Sequence, residues 1–314
     1  MINLVDSAHG GVGWEERETT HINELSIKWS NCGVTSEYHQ LKNVLLRRPG
    51  KEIENIPEPE KLLWTERMEP TKARYQHDEL VDTYKKFGVT VEYLEDERAT
   101  NFPNIIYIRD LFSMTPQGAI ISRLASKVRS GEENIISKKI ANMGIPIIAS
   151  AHNDMVLEGP DILIVNQDLV FLGVGLRTNI QAVNFVNNLL KIQGFEEIEI
   201  IQTTYGCGHL DGVVNILNSK NSVIIPQRAS FQLYSSLKKH GFNIIELCNM
   251  YEIDELMSIN FVTLNDETVL INKGCQDTIQ KYAKAGVESI EVDVSELTKG
   301  GGSVHCMTGV LKRG

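Results

Sequence analysis

Residues 238–248 read KKHGFNIIELC, a helical run that stops at Gly241 and continues as an apolar, β-rich run. The same pattern recurs at 85–95 (KKFGVTVEYLE), 141–150 (ANMGIPIIAS), 191–202 (KIQGFEEIEIIQ) and 283–294 (AKAGVESIEVDV). A glycine at this place is typical of a left-handed helix C-cap, so one such glycine predicts only where a helix ends. Five of them, at positions 88, 144, 194, 241 and 286, predict a supersecondary unit repeated every 45–56 residues.

Each repeat also contains a predicted hairpin, because two β-rich runs flank a polar turn such as NQD at 166–168 or NDE at 265–267. The four predicted hairpins occupy 105–123, 161–175, 212–225 and 259–272. The repeated unit is therefore hairpin, helix and strand, written ββαβ. A fifth hairpin forms if MTGVLKR (307–313) pairs with LKNVLLRR (41–48), and this pairing would close the units into a ring without exposed sheet edges. An open α/β sheet is the alternative fold.

Composition narrows the class of partner. The 314-residue chain has 42% apolar and 23% charged residues, which is typical of a globular protein with a large core. We expect a single domain from residue 39 to 314, preceded by an arm at 1–38 that is a candidate lid. The net charge of −10, without a dense basic run, argues against nucleic acid and anionic membranes and favours a cationic ligand.

Five widely spaced cysteines, an odd number, indicate reduced thiols rather than a disulfide framework. The N-terminus has neither the basic nor the apolar region of an export signal, and no segment is apolar for long enough to span a bilayer. We therefore expect a cytoplasmic protein that binds neither nucleic acid nor membrane, with a homo-oligomer left open.

Four reactive side chains fall at the same place in their repeats. Asp110, Glu158, His209 and Cys306 each lie in the connector between the strand that follows the glycine and the next hairpin. In a closed ring these connectors meet at one end of the axis, so we expect the four side chains to converge there. No comparable residue is predicted in the repeat after Gly241.

A cysteine and a histidine from separate repeats predict nucleophilic catalysis, because the thiolate attacks and an imidazole can generate it. Glu158 is placed to orient His209. The alternative is that Cys306 is a buried structural thiol, but the glycines at 300–302 would let the backbone bring it close to a ligand. Neither GCGH nor VHC has the ligand spacing of a structural zinc site, so no metal is predicted.

Asp211 lies two residues after His209, on the same side of an extended segment. Together with Asp110 it offers a pair of anionic acceptors beside the thiol. Such a pair suits a planar cation with several N–H donors, and a guanidinium is the obvious candidate. The alternative is that either aspartate caps a turn.

Five motifs, in this order, resemble the guanidine-modifying enzymes of the pentein superfamily. They are FPNIIYIRD (102–110), LEGPD (157–161), GLRTN (175–179), GCGHLDGVVNIL (206–217) and GGGSVHCMTGVL (300–311). The superfamily includes arginine deiminases, dimethylarginine dimethylaminohydrolases, agmatine deiminases and amidinotransferases. The resemblance covers residues 35 to 314 and implies an α/β fold, a five-bladed pseudo-symmetric propeller of ββαβ units around a central polar channel.

The resemblance also implies a role for each matching residue. Cys306 matches the nucleophile, His209 the general acid and base, and Glu158 the carboxylate that supports the histidine. The implied substrate-binding residues are Asp110 and Asp211 for the guanidinium, Arg177 and Arg129 for an α-carboxylate, and Asn104 in the first motif. Arg123 is an alternative to Arg129. No cofactor and no metal are implied.

The implied reaction begins with attack of the Cys306 thiolate on the guanidinium carbon, which gives a covalent thiouronium intermediate. We expect hydrolysis of L-arginine to citrulline and ammonia, or further to ornithine, because LEGPD and PNIIYIRD are more similar to the hydrolases. Asp211 favours an unsubstituted guanidinium, and Arg177 favours a substrate with a carboxylate. An amidinotransferase and a non-catalytic binder of guanidino compounds are the alternatives. LEGPD differs from the commoner EGGD and the helical insertion of arginine deiminases is missing, which argues against a strict deiminase assignment.

Overall fold

The computed structural model describes residues 5–314, which form a mixed α/β structure. Its α-helices are α1 His21–Glu24, α2 Pro70–Lys86, α3 Glu132–Asn142, α4 Ile180–Ile192, α5 Phe231–Lys239, α6 Met250–Asp254, α7 Gln276–Lys284 and α8 Val304–Met307. Its first eight strands are β1 Leu41–Leu46, β2 Thr90–Tyr93, β3 Phe112–Thr115, β4 Gly118–Ile121, β5 Ile147–Ser150, β6 Ile162–Ile164, β7 Leu169–Val174 and β8 Glu197–Gln202. The remaining strands are β9 Val214–Ile216, β10 Asn221–Ile224, β11 Asn243–Glu246, β12 Val262–Asn265, β13 Thr268–Asn272, β14 Glu288–Val292 and β15 Gly309–Arg313.

Within residues 5–314 the strands form five three-stranded sheets, in the orders β15-β1-β2, β3-β4-β5, β6-β7-β8, β9-β10-β11 and β12-β13-β14. In every sheet the central strand pairs antiparallel with one neighbour and parallel with the other. A helix connects each parallel pair, as such a crossover requires. The predicted α/β class and the order of hairpin, helix and strand are confirmed.

The glycines that define the repeat have the backbone conformation expected of them. Positions 88, 144, 194, 241 and 286 all have positive φ, between 70° and 93°. Each lies within two residues of the end of a long helix, where the chain must leave the right-handed conformation. The spacing of these glycines therefore equals the length of one structural unit.

Each long helix covers its sheet with an apolar stripe, and α4 is representative. Its side chains Val183, Val186 and Leu190 are spaced three and four residues apart and are buried against β7. Full burial of an aliphatic side chain stabilises the fold by about 1.5–3 kcal/mol. At the start of the helix Asn179 accepts a hydrogen bond from the Ala182 amide at 3.1 Å, which caps the first turn.

Both ends of the predicted domain lie in one sheet. β1 pairs antiparallel with β15, with Val44 opposite Val310, and parallel with β2 on its other side. The first and last strands of the domain are therefore hydrogen-bonded to each other.

The first predicted hairpin begins later than the sequence indicated. Residues Pro103–Ile106 and Ile108–Leu111 form two 3-10 turns, and the strand starts only at Phe112. In these turns the amides of Ile105, Tyr107 and Asp110 donate to carbonyls three residues earlier. Since these N–H groups are bonded locally, they are not available to a strand ladder, and the prediction of a strand over 105–111 was wrong.

The segment before β1 contacts the β3–β4 hairpin. His21 Nε2 lies 2.8 Å from the Gln117 carbonyl, and the Ser30 amide donates to the Gly144 carbonyl at 2.9 Å. Gln117 is at the hairpin turn, at the opposite end of β3 from Asp110. The first four residues of the predicted arm lie outside the described residues, and the division into an arm at 1–38 and a domain at 39–314 stays a prediction. Among residues 5–314, every helix is too short or too polar to cross a membrane.

Candidate functional site

A cavity of about 110 Å³ lies where the connectors before the hairpins meet. Its wall contains residues from the connectors before three of the five hairpins and from segments that follow β1, β4 and β7: Leu63, Asn104, Tyr107, Asp110, Arg129, Arg177, Gly208, His209, Gly300, Gly301, Gly302 and Cys306. Asp110 precedes β3, His209 precedes β9 and Cys306 precedes β15. The structure thus brings together the nucleophile, the histidine and the first aspartate that the sequence predicted. The described part of the predicted arm contributes no residue to this wall.

The glycine run explains how Cys306 reaches the cavity. Gly301 has φ of 91°, so the chain turns there in a left-handed conformation. A Cβ at Gly302 would lie 2.7 Å from the Tyr107 ring and 2.8 Å from the Cys306 Cβ. Tyr107 is itself held by a hydrogen bond from its hydroxyl to the Leu297 carbonyl at 2.7 Å. The run therefore lets the turn that carries Cys306 pack directly on an aromatic ring.

Cys306 has a donor to its sulfur that the sequence did not predict. Asn260 Nδ2 donates to Cys306 Sγ at 3.0 Å. Burial, together with the negative charges of Asp211 and Asp110, raises the pKa of the Cys306 thiol above its usual range. With these neighbours the cysteine is therefore a neutral thiol at neutral pH.

His209 is held by Glu158. His209 Nε2 lies 2.6 Å from Glu158 Oε2, and the same oxygen accepts from Arg177 Nη1 at 3.2 Å. The other oxygen of Glu158 accepts from the Ala125 amide at 3.1 Å. The connector before β9 is also anchored, because the Leu210 amide donates to Asp161 Oδ1 at 2.8 Å. The predicted supporting role of Glu158 thus has a direct geometric counterpart.

The charges around His209 favour its protonated form. Burial alone would lower the pKa of His209, but Asp110, Glu158 and Asp161 outweigh it and raise the pKa to about 9. Burial alone would raise the pKa of Glu158, but the hydrogen bond and charge of His209, with Arg177, lower it to about 2. The pair is therefore an imidazolium and a carboxylate near neutral pH, which suits His209 to donate a proton.

Asp110 is fixed by a buried arginine. Arg129 Nη1 donates to Asp110 Oδ2, Nη2 donates to Glu132 at 2.8 Å, and Nε also contacts Glu132. Nη2 further contacts the carbonyls of Asn104 and Tyr107 at 3.2 and 3.4 Å. Asp110 Oδ1 is buried and without a partner among residues 5–314, which leaves one carboxylate oxygen free to accept from a ligand. The structure thus places Arg129 on Asp110 rather than free for a carboxylate.

Asp211 does not lie where the sequence predicted. Its Oδ2 is 2.8 Å from His305 Nδ1, both side chains are buried, and Asp211 is absent from the cavity wall. Burial would raise the pKa of Asp211, but the hydrogen bond from His305 and its charge lower it. Since a buried carboxylate needs a partner, the neighbouring imidazole satisfies it before any ligand does. The expected pair of Asp110 and Asp211 facing the ligand is not formed in this structure.

Of the remaining predicted residues, Arg177 and Asn104 line the cavity and Arg123 does not. Arg177 lines the cavity with about a quarter of its side chain exposed. Asn104 is buried, its Oδ1 accepting from Trp64 Nε1 at 2.6 Å and its Nδ2 donating to the Leu62 carbonyl. Arg123 donates to the Met155 carbonyl at 2.9 Å and is not part of the wall. Of the two alternatives for the second arginine, only Arg129 lines the cavity.

One group of side chains has the spacing of a metal site. Donor atoms of Asp110, Glu158 and His209 all lie within 4.8 Å of one another. These groups already bond to each other or to Arg129 and Arg177, and two guanidinium charges at this distance oppose a divalent cation. The donor set therefore suits a guanidinium better than a metal ion.

Asn260 and His305 contact the candidate site residues, but the sequence did not predict them as site residues. The repeat after Gly241 has no nucleophile or acid at the equivalent place, but Asn260 precedes β12 as Asp110 precedes β3. The signal that could have found it is its position in the connector, since an amide is neither a nucleophile nor an acid.

Residues 5–314 form five ββαβ units and a cavity that contains a cysteine, a protonated histidine and a carboxylate with one unpartnered oxygen. This combination is typical of the guanidine-modifying enzymes of the pentein superfamily. The family model described as "N,N dimethylarginine dimethylhydrolase, eukaryotic" matches residues 60–312, and the chain belongs to this family.

Individual relatives agree with the class. The N(G),N(G)-dimethylarginine dimethylaminohydrolase of Pseudomonas aeruginosa is 26% identical over 242 residues, covering 76% of this chain and 87% of that protein. An arginine deiminase of Oenococcus oeni is 24% identical over 396 residues, covering 88% and 95%. The solved N-terminal domain of ArgZ, a cyanobacterial arginine dihydrolase bound to product, has a TM-score of 0.74 at 18% identity, covers 87% and 98%, and shows the fold alone.

These relatives support an enzyme that acts on guanidino C–N bonds, with a small guanidino substrate. The alignment with the deiminase extends over 396 residues although this chain has 314, as expected if the deiminase carries an insertion that is missing here.

Proposed function

We propose that this chain is a cysteine-dependent hydrolase of the guanidino group of arginine or of a related guanidino acid. The observation that carries the proposal is the shared cavity of Cys306, His209 and Asp110, with Arg177 on its wall. The five sheets are proposed to be the blades of a ring, closed by β1 and β15, whose polar channel opens into this cavity. The family model and the deiminase and dimethylaminohydrolase relatives support the same class of substrate.

Binding is proposed to start at Asp110. Its unpartnered Oδ1 accepts N–H groups of the guanidinium, while Arg129 keeps the carboxylate in place. Arg177 is placed to pair with a carboxylate on the substrate, because its guanidinium is part of the wall and partly exposed. Arg129 then acts as a positioning residue for Asp110 rather than as a carboxylate ligand.

The positive charge of the substrate favours the thiolate form of Cys306. Burial and two nearby carboxylates keep the pKa of Cys306 high, and a positive charge beside the sulfur lowers it. As the cation binds, the thiol therefore releases its proton to solvent, and the resulting thiolate attacks the guanidinium carbon to form an S–C bond. His209 gives its proton to the departing nitrogen, the C–N bond breaks, and ammonia leaves a thiouronium on Cys306.

Hydrolysis reverses the role of His209. The neutral imidazole takes a proton from water, and the resulting hydroxide attacks the thiouronium carbon. The C–S bond then breaks, and the departing thiolate takes the proton of the new hydroxyl group, which regenerates the Cys306 thiol, leaves His209 protonated and gives a neutral urea. Glu158 stabilises the imidazolium in both half-reactions because its short contact with Nε2 is already formed. The product carries a urea group in place of the guanidino group. When the substrate is arginine, this product is citrulline.

Hydrolysis of an N-methylated arginine is the second candidate, and one observation favours it. Asp211 was expected to select an unsubstituted guanidinium, but its carboxylate is bonded to His305 and lies outside the wall. Without that second acceptor, one guanidino nitrogen has no carboxylate to bond to, so methyl groups on that nitrogen cost no hydrogen bond. The family model that matches this chain is also the dimethylarginine one.

The test is incubation of the purified protein with L-arginine or N,N-dimethylarginine, with and without glycine, followed by mass spectrometry. Citrulline and ammonia from arginine, independent of glycine, support the first candidate, and ornithine with further ammonia identifies a dihydrolase. Citrulline and dimethylamine from the methylated substrate support the second candidate. If ornithine and guanidinoacetate form only when glycine is present, the enzyme is an amidinotransferase and the proposed hydrolysis is wrong. Cys306→Ser is the control for contaminating activity.

A further inference from the structure

Asn260 makes three contacts with the turn that carries the nucleophile. Its Nδ2 donates to Cys306 Sγ at 3.0 Å, and its Oδ1 accepts from the Cys306 amide at 3.2 Å and from the His305 amide at 2.9 Å. The residue is buried and lies two positions before β12. One amide side chain therefore holds both the backbone and the sulfur of the same cysteine.

The geometry also limits what else Asn260 can do. Asn260 is not part of the cavity wall, and its Nδ2 donates to the Cys306 sulfur rather than to a ligand. The backbone carbonyl of Asn260 also accepts a longer hydrogen bond from the His305 amide at 3.4 Å. This bond keeps the connector before β12 against α8. The amide orientation follows from these contacts, because only the oxygen can accept two backbone N–H groups.

We propose that Asn260 is a further catalytic residue, whose amide N–H donates to the Cys306 thiolate during the reaction and fixes the direction of its sulfur. The proposal rests on Cys306 being the nucleophile of the proposed function. A hydrogen bond to an anionic sulfur is stronger than one to a neutral thiol, so the contact stabilises the attacking form selectively. Glu158 would thus support the histidine and Asn260 the cysteine.

The charges that face Cys306 show why such a donor matters. Burial raises the pKa of the thiol, and the carboxylates Asp110 and Asp211 raise it further. Asn260 and the backbone at Ser303 act in the opposite direction by hydrogen bonding to the sulfur. The other titratable or charged groups of the wall and of the turn are His209, His305, Tyr107, Arg129 and Arg177.

The experiment measures alkylation of Cys306 by iodoacetamide as a function of pH, with the modified peptide identified by mass spectrometry. The peptide assignment separates Cys306 from Cys248, which is exposed. Two variants are compared with wild type. Asn260→Ala removes the donor and the acceptor, whereas Asn260→Asp removes the donor, keeps an acceptor for both backbone amides, and adds a negative charge beside the sulfur.

If Asn260 stabilises the thiolate, alkylation near neutral pH slows by about tenfold or more in Asn260→Ala and at least as much in Asn260→Asp. In both variants the midpoint of the pH profile moves up, and kcat/KM falls with kcat while KM changes little. If Asn260 does not stabilise the thiolate, Asn260→Ala keeps the wild-type midpoint of the alkylation profile, and only Asn260→Asp, through its added charge, shifts it. That result would overturn the proposal.

A matched control is available in another turn. Asn166 Oδ1 accepts from the amides of Asp168 and Leu169 at 2.9 Å, but Asn166 is outside the cavity wall. Asn166→Asp makes the same chemical change at a turn asparagine and should leave the alkylation profile of Cys306 unchanged. Alkylation needs no substrate, so the two proposals fail separately. Slower alkylation in the Asn260 variants of a protein that turns over no guanidino compound would refute the proposed function alone.

Discussion

Replacement of Glu158 by glutamine tests whether the charge on His209 is set by its carboxylate neighbours. The substitution keeps the shape of the side chain but removes the negative charge that lies 2.6 Å from Nε2. The pKa of His209 is about 9 in the native site, against an ordinary value of 6.5, because Asp110, Glu158 and Asp161 together outweigh burial. Loss of Glu158 should therefore lower this pKa while leaving the other two carboxylates in place.

The size of the change follows from the bond that is lost. A hydrogen bond to a charged group contributes about 2 kcal/mol, which corresponds to a pKa change of about 1.5. The pKa of His209 should thus fall to about 7.5 in Glu158→Gln. At about pH 8 the protonated fraction then drops from about nine-tenths to about a quarter, whereas near pH 6 both proteins are protonated.

The assay is kcat/KM for the best guanidino substrate across pH, together with an NMR titration of the histidine rings. The alkaline limb assigned to His209 should move down by more than one pH unit in the variant, and the acidic side should change less. Glu197→Gln is the matched control, because Glu197 Oε2 lies 3.0 Å from His240 Nε2 in a pair outside the cavity. If the His209 titration in Glu158→Gln stays near 9, the assignment of the charge to Glu158 is refuted.

Three further changes have expected outcomes. Cys306→Ser should reduce turnover to background while the far-ultraviolet circular dichroism and the thermal midpoint stay near those of wild type; a fully active variant would remove Cys306 as nucleophile. Arg177→Gln should raise KM for arginine by about tenfold or more but leave KM for agmatine, which lacks the carboxylate, much less affected; equal increases would contradict a carboxylate contact. Asp211→Asn replaces a charged hydrogen-bond acceptor for the buried His305 by a neutral one and should lower the free energy of unfolding by about 2 kcal/mol in urea denaturation. Because the folded-state pKa of Asp211 is lowered, that stabilisation is present above its unfolded pKa and is lost on acidification, so the difference between variant and wild type should shrink at low pH.

The repeat of the fold was predictable because each unit ends a helix in the same way. Glycines at 88, 144, 194, 241 and 286 have the positive φ that their spacing implied, and a β-strand follows each of them. The connector positions of Asp110, His209 and Cys306 were predictable for the same reason, since equivalent places in equivalent units meet in space. A periodic pattern fixes which backbone segments converge.

Side-chain partners were less predictable, because a pattern places the backbone and does not choose between neighbouring charges. Asp211 and Arg129 were both assigned to the ligand, yet Asp211 bonds to His305 and Arg129 bonds to Asp110 and Glu132. Their partners come from segments distant in sequence or from the next turn, and desolvation makes each buried charge take the nearest opposite one. The amide of Asn260 carries no charge, so no electrostatic argument singled it out.

The pairing of buried charges also explains why a cation should bind at Asp110. Glu158 has two cationic partners, His209 and Arg177, so its single negative charge is more than compensated. Arg129, in contrast, is shared between Asp110 and Glu132, so this group of three carries one net negative charge when both carboxyls are ionised. Burial raises the pKa of Glu132 to about 7 in spite of Arg129, so the full negative charge develops only as pH rises past neutrality. Asp110 lines the cavity and its Oδ1 has no partner among residues 5–314, so a guanidinium bound at this oxygen would compensate the charge that Arg129 leaves unbalanced.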